Sequence, residues 1–419
     1  MRTRALRIVT IGAAFSANKG AAAMLETVIR ELPRRFGPCD FRVLTTYPDA
    51  DKAAFPAVPE GSSVTMISYR PVGLVLLHLP CGLLTSASRS LGVSGRWACR
   101  TSALRAIHEA DLVVDLAGIS FADGRGIPIL SYNMLMTGIP LLAGAAVVKC
   151  AQALGPFRNP LTRLAATVVL PRLEGVVARG ELSEKYVRGL SSVKLFRGAD
   201  LTYALGVDEK AGSTAEQELA QALGPEWGPF HLVIPSSVVQ QACARRKIPY
   251  ISLMAAFIRQ LVEAGEEVLL VPHAARPGRP ASRMNDIPLV EQLHHAVDSD
   301  RCKAVPKSLN PTVLKGIVQR AEFMTTCRFH GLIAALSVGT PSLVIGWSHK
   351  YDEALSDFGL EDWAVDYRTL TEDLLYERYS LLKPQTEAFR ASVIEKLPEL
   401  MARVEENFRA IEHGLGASR

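Results

Sequence analysis

Between Met324 and Gly346 the chain reads strand, helix, strand, and that order leaves few folds open. Met324-Thr325-Thr326 closes a short apolar run, residues 330–338 form an Ala/Leu-rich helix stopped by Gly339 and Pro341, and residues 342–346 form the next strand. Consecutive strands joined by a single helix run parallel, with a right-handed crossover. Both strand exits therefore lie on one edge of a sheet. Arg328 and His330 occupy the first exit, and His349 and Lys350 the second. Open α/β sheets bind ligands in such carboxyl-end crevices. Two cations, two imidazoles and a helix N-terminus predict a small, highly anionic ligand there.

The same rhythm extends along the chain. Strands are predicted at Leu6–Ile11, Phe41–Thr45, Val64–Ile67, Leu112–Leu116, Val147–Ala153, Gly175–Ala178 and Val193–Phe196, with a helix at Ala21–Leu32. Strands separated by helices mean a parallel, doubly wound α/β sheet. A polar stretch, 206–228, breaks the pattern. It restarts at His231–Pro235, continues through a helix at 251–264 and a strand at Val268–His273, and ends in a long amphipathic helix, Gln385–Ile411. A chain of 419 residues is too long for one core. The expected organisation is an N-terminal domain over 1–205, a linker over 206–228 and a C-terminal domain over 229–384. A terminal helix, 385–419, packs back toward the first domain. Two facing domains would hold the ligand in the cleft between them.

Composition narrows the function classes. Hydrophobic residues make up 48% and charged residues 21%, which fits a folded globular protein rather than a disordered one. The net charge of +5 allows an anionic substrate or lipid surface, and no basic-aromatic ladder points to nucleic acid. Seven scattered cysteines form no Cys-x-x-Cys pair, and an odd number argues against a disulfide framework. The expected compartment is the cytoplasm. Met1–Ala17 resembles a weak signal peptide, but Arg7 interrupts its apolar part and Asn18-Lys19-Gly20 leads straight into a helix. Residues 127–148 carry no charge, yet Pro128, Asn133 and Pro140 interrupt them, so a buried helix and strand are expected rather than a membrane span. Val72–Leu84 is read as a helix packed on the core. The alternative is peripheral contact with the inner face of a membrane.

Several loops after strands carry candidate chemistry. Asn18 and Gly20 open a helix whose free amides favour an anion; an ordinary helix cap is the plain alternative. Asp115 and Asp123 could act as a base toward a sugar hydroxyl, or serve only the turn at Asp123-Gly124. Arg179 is placed to grip a carboxylate or phosphate; a surface ion pair with Glu184 is the alternative. His273 leads into Arg276, Arg279 and Arg283, a run that could hold a phosphate; it is read instead as a solvated loop. Cys327 is read as a small buried residue. Asp49-Ala50-Asp51 and Asp298-Ser299-Asp300 lack supporting ligands and are read as solvated surface, and His294-His295 likewise, so no obligatory metal site or cofactor is expected.

In order along the chain, these segments resemble the polysaccharide pyruvyl transferases. Asn18-x-Gly20-Ala21 resembles that family's first loop, and Asp111–Asp115 through Phe121 its "D-L-V-I-x-x-G-G" strand exit. Gln152-Ala153-Leu154-Gly155-Pro156-Phe157 is similar to "x-Q-S-I-G-P-F", Arg179 and Ser183 to "R-D-x-x-S", Arg328-Phe329-His330 to "R-x-H", and Ser348–Tyr351 to "x-x-K-Y". Three positions depart from the pattern: Gly180 replaces an acidic residue, Ala117 a glycine, and Ile119 a residue that is commonly polar.

The resemblance implies two facing Rossmann-like domains, GT-B-like in fold. It also implies phosphoenolpyruvate as donor, a sugar hydroxyl pair as acceptor and a pyruvate ketal as product in surface polysaccharide synthesis. Arg179, Lys350 and Arg328 would neutralise the donor, with His349, Asn18 and the Gly20 amide assisting. His330 would be the acid, and Asp115 or Asp123 the base. The carrier of the acceptor is open among lipid, nucleotide and polymer. A nucleotide-sugar glycosyltransferase of the same architecture, with Glu353 and Glu361 eight apart, is one alternative. A non-catalytic assembly partner is the other.

Overall fold

The computed structural model describes residues 4–55, 58–93, 95, 100–190, 192–276, 284–346, 349–371 and 373–417; of His349 it describes the backbone alone. The chain divides into two compact units. The first comprises Met1–Phe15, Met24–Leu201 and Met401–Arg419; the second comprises Ser16–Ala23 and Thr202–Leu400.

The first unit contains a seven-stranded sheet in the order β3-β2-β1-β4-β5-β6-β7. Its strands are β1 Leu6–Ile11, β2 Cys39–Thr45, β3 Ser63–Ser68, β4 Leu112–Asp115, β5 Val147–Gln152, β6 Gly175–Arg179 and β7 Leu195–Gly198. Every recorded pairing is parallel. The central strands are buried at almost every residue, as sheets covered on both faces require. The strand order reverses between β1 and β4, so the crevice of this unit opens beyond Ile11 and Asp115, which pair across it.

The second unit repeats the plan with a six-stranded parallel sheet, β10-β9-β8-β11-β12-β13. Its strands are β8 His231–Ile234, β9 Val268–Leu270, β10 Cys302–Ala304, β11 Phe323–Thr326, β12 Ser342–Gly346 and β13 Ala364–Asp366. The helix expected at 330–338 spans Phe329–Val338 and ends on Gly339, whose φ of 77° is left-handed. Here the order reverses between β8 and β11, which places the crevice beyond Ile234 and Thr326.

Two expectations on boundaries change. The polar stretch 206–228 is no linker: it contains the helix Glu209–Leu223, capped by the Asp208 side chain, and Ala211, Ala215 and Leu219 join the core of the second unit. The stretch looks polar because only one stripe of this helix is buried. The division falls earlier, at Leu201–Thr202. The terminal helix runs Thr386–Ala417, and residues from Met401 onward belong to the first unit.

The uncharged stretch after residue 127 is a helix, Ile127–Leu142, followed by β5, as expected. Asp51, expected on solvated surface, is fully buried and accepts a hydrogen bond from the Thr45 hydroxyl. The helical run Pro71–Ser90 does pack on the core, but through a face that its sequence does not advertise.

Candidate functional site

In the second unit the Asn18 segment is anchored beside the β9 exit loop. Asn18 forms an antiparallel bridge with Ala274, and the Lys19 amide donates to the His273 carbonyl at 3.3 Å. Asn18 Oδ1 accepts from the Gly20 amide at 2.9 Å, so Asn18 is the cap of the helix Lys19–Phe36. Gly20 then lies against His330. A β-carbon at position 20 would fall 1.9 Å from Nδ1 of that ring, so only glycine lets the backbone come this close.

His330 occupies the first turn of Phe329–Val338, half-buried, with its ring stacked 6.4 Å from that of His273. His273 is buried, and its pKa lies well below the ordinary value. Burial is the main cause, followed by the charges of His330, Arg328 and Lys19. Buried Lys19 thus joins two imidazoles and a guanidinium. Lys350, in the first turn of His349–Ser356, holds its ammonium 4.5 Å from the centre of the Phe329 ring. The Tyr351 hydroxyl donates to the Cys327 carbonyl at 3.1 Å, fixing that helix start to the β11 exit. The side chain of His349 lies outside the described residues, as do Arg279 and Arg283.

Arg328 has an internal partner. Its guanidinium pairs with Asp286, which is fully buried, and donates to the Ser237 hydroxyl at 3.3 Å. Asp286 also accepts from the Ser237 amide at 2.9 Å and the Ala274 amide at 2.9 Å. This network joins the β8, β9 and β11 exits. Arg328 therefore enters the site as a positioning group, its charge already balanced. Cys327 is fully buried beside Tyr250, and burial pushes its thiol up to about 12, which excludes a thiolate at neutral pH.

Lys19, His273, Lys315 and His330 line a cavity of ≈ 20 Å³, room for about one water and too little for a phosphorylated three-carbon acid. Lys315 is buried and donates to the carbonyls of Leu205 and Thr202; burial lowers its pKa to about 8. Sequence reading passed over Lys315 and Lys19. A lysine amid Val313, Leu314, Ile317 and Val318 was the legible signal for the former.

The remaining candidates belong to the first unit. Asp115 is 2% exposed and accepts from Lys149, from the Thr137 hydroxyl at 3.0 Å, from the Ala117 amide at 3.0 Å and from Gln152 Nε2 at 3.0 Å. Gln152 also accepts from the Ser120 hydroxyl. Nearly buried and held by so many donors, this carboxylate has the role of holding the β4 exit. Lys149 went unnoticed, although a lysine within Val147–Gln152 stands out among apolar residues.

Asp123 differs. One oxygen accepts from the Arg158 amide at 2.7 Å, while the other is buried with no hydrogen-bond partner among the described residues. Arg179, 8% exposed, pairs with Asp200 at 2.8 Å; Glu184 pairs with Arg188 instead. Ser183 accepts from the Leu154 amide at 3.1 Å. Gly180 has φ 83° and ψ 167°, a conformation strongly disfavoured for an acidic residue, so this departure from the family pattern accompanies a backbone that needs glycine.

The sequence model of the polysaccharide pyruvyl transferases matches residues 18–349. The amylovoran biosynthesis protein AmsJ of Erwinia amylovora is 20% identical over 391 residues, covering 88% of this chain and 89% of its own length. Among solved structures, a UDP-N-acetylglucosamine 2-epimerase superposes with a TM-score of 0.58 at 13% identity, covering 98% of this chain and 95% of the other. The α,α-trehalose 6-phosphate synthase of Burkholderia multivorans gives 0.54 at 10% identity, covering 99% and 98%. At these identities the structural likenesses speak for a GT-B-like pair of Rossmann-like units and for no particular chemistry. Kinship rests on the sequence model, which runs from the Asn18 segment through the Arg328–His330 exit to His349: the chain belongs to the polysaccharide pyruvyl transferase family.

Proposed function

We propose that this protein moves the pyruvyl group of phosphoenolpyruvate onto two hydroxyls of a saccharide as a ketal, in the synthesis of a polysaccharide. The observation that carries this reading is the gathering of Lys19, His273, Arg328, His330 and Lys350 at the β9, β11 and β12 exits of one sheet. Such a group suits a small ligand bearing both a carboxylate and a phosphate. Lys350 and Lys19 neutralise the donor, and the close approach at Gly20 sets the His330 ring beside them. Membership of the family and the likeness to an amylovoran biosynthesis protein support a saccharide acceptor.

The chemistry balances as two additions and one elimination. His330 gives a proton to the methylene carbon, and the first hydroxyl adds to the middle carbon while losing its proton to a base. The carbon–oxygen bond to phosphate breaks, and the second hydroxyl closes the ketal. Of the two hydroxyl protons, one restores the acid and one leaves with phosphate. Imidazole suits the acid because it titrates near neutrality. On the first unit, Asp123 is the candidate base, while Arg179, balanced by buried Asp200 as Arg328 is by Asp286, is a positioning group.

Incubation with phosphoenolpyruvate and saccharide acceptors tests the reading. Release of inorganic phosphate coupled to a pyruvylated saccharide is the expected result. Release of nucleotide from a sugar nucleotide, with phosphoenolpyruvate inert, would replace it with glycosyl transfer. His330→Ala should abolish turnover in a folded protein; near-normal turnover removes His330 from the mechanism.

A further inference from the structure

The helical run Pro71–Ser90 is turned inside out. Its buried face consists of Leu74, His78, Gly82, Thr85 and Ser88, while Val72, Val75, Leu76, Leu77, Leu83 and Leu84 face outward. Leu76 is 68% exposed and Val72 69%. A helix packed on a core normally buries its apolar stripe. Here the polar groups of the buried face are satisfied locally: Thr85 donates to the Cys81 carbonyl at 2.9 Å, Ser88 to the Leu84 carbonyl at 2.9 Å, and His78 bonds the Thr101 hydroxyl at 3.2 Å. Gly82 allows close packing on Leu142 and Ile139 of the neighbouring helix.

The apolar exposure continues onto helices of the same sheet face. Ile127, at the start of Ile127–Leu142, is 64% exposed. On Pro160–Val169, which also packs on that helix, Leu161, Leu164 and Val168 are exposed. These helices follow β3, β4 and β5, and right-handed crossovers place all three on one side of the sheet. Exposed apolar side chains on three neighbouring helices of one face mark an interaction site.

Its surroundings are basic. Residues 70–172 contain ten Arg and Lys against four Asp and Glu, and one pair of these, Lys149 and Asp115, is buried together. Arg70, Arg89, Arg125, Arg158 and Arg163 are exposed, at or beside the ends of these same helices, and Arg163 lies between Leu161 and Leu164.

We propose that this face of the first unit lies in the plane of an anionic lipid bilayer. The leucines enter the acyl boundary and the arginines meet the headgroups. The run of 20 residues is long and apolar enough to cross a membrane, but Leu74 belongs to the core cluster and the inner face is packed, so the helix rests on the surface.

Co-sedimentation of the full chain with vesicles tests this. The protein should bind vesicles of phosphatidylglycerol mixed with phosphatidylcholine, bind phosphatidylcholine alone much more weakly, and lose the difference as salt rises. Leu76→Asp combined with Leu83→Asp should reduce binding at least about tenfold with an unchanged melting temperature, since both positions face solvent. Arg158→Glu with Arg163→Glu should weaken binding to the anionic vesicles alone. Absence of binding at low salt, or binding that the leucine substitutions leave intact, overturns the proposal. So does a dimer in sedimentation equilibrium that those substitutions dissociate while vesicles remain unbound, which assigns the face to a second copy of this chain.

Discussion

Gly20 and His330 are 310 positions apart, yet a single methyl group on the first would collide with the ring of the second, 1.9 Å from Nδ1. The ring can swing away, so Gly20→Ala should leave the protein folded and close to normal in melting temperature. The imidazole would then be displaced from where the fold holds it. A misplacement of this order typically costs about a hundredfold in rate. Steady-state assays should show kcat falling by that factor, while unaltered turnover would mean that the position of the ring is irrelevant.

Asp115 and Asp123 are separable by what each substitution harms. Asp115→Ala leaves Lys149 buried without its counter-ion, which should cost ~3–5 kcal/mol, and Lys149→Met should cost a similar amount. Asp123→Asn retains the size of the side chain and should change stability by less than about 1 kcal/mol. As the proposed base it should nonetheless lose a factor of about 10²–10⁴ in turnover. Urea unfolding and rate measurements on the same preparations decide this. A stable, inactive Asp115→Ala would reverse the assignment.

The sheets were legible because a parallel strand buried on both faces has to be apolar throughout, as Val147–Gln152 nearly is. The exit loops of the second unit were legible for a related reason: cations just beyond an apolar strand have few structural uses. Their partners were not. Asp286 and Asp200 lie 42 and 21 positions from the arginines they neutralise, and no local pattern identifies which carboxylate a guanidinium will find. The linker reading failed at Glu209–Leu223 because a helix with a narrow buried stripe looks polar overall. For Pro71–Ser90, composition showed an apolar helix, but which face turns inward depends on Tyr69, Thr101 and the helix beginning at Ile127, all set by the tertiary fold.

Arg328 offers a second test of structural against donor-binding roles. Arg328→Met and Asp286→Asn should each cost about 3 kcal/mol, because either leaves the other partner buried with a broken network. The double substitution should cost clearly less than the two single losses combined, since the pair acts as a unit. Were Arg328 instead a direct ligand of the donor, Arg328→Met would keep its stability and raise the KM for phosphoenolpyruvate. Denaturant titration of the three variants, with KM measured on each folded one, separates the outcomes.

His231 predicts how the second unit responds to acid. Its ring is wholly buried among Phe257, Phe323 and Tyr379, with Nε2 bonded to the Thr325 hydroxyl at 2.9 Å. Burial, aided by the charge of Lys383, lowers its pKa from 6.5 to about 3. The unfolded chain therefore binds a proton here below about pH 6.5, whereas the folded chain does not until about pH 3. Between those values the unfolded state holds more protons, so stability is lost as pH falls, by up to about 1.4 kcal/mol per pH unit from this group. His231→Gln preserves a hydrogen bond to Thr325 but cannot take the proton. Unfolding free energies measured from pH 7 to pH 4 should fall less steeply for this variant by about that slope, and parallel curves would show that His231 carries no acid sensitivity.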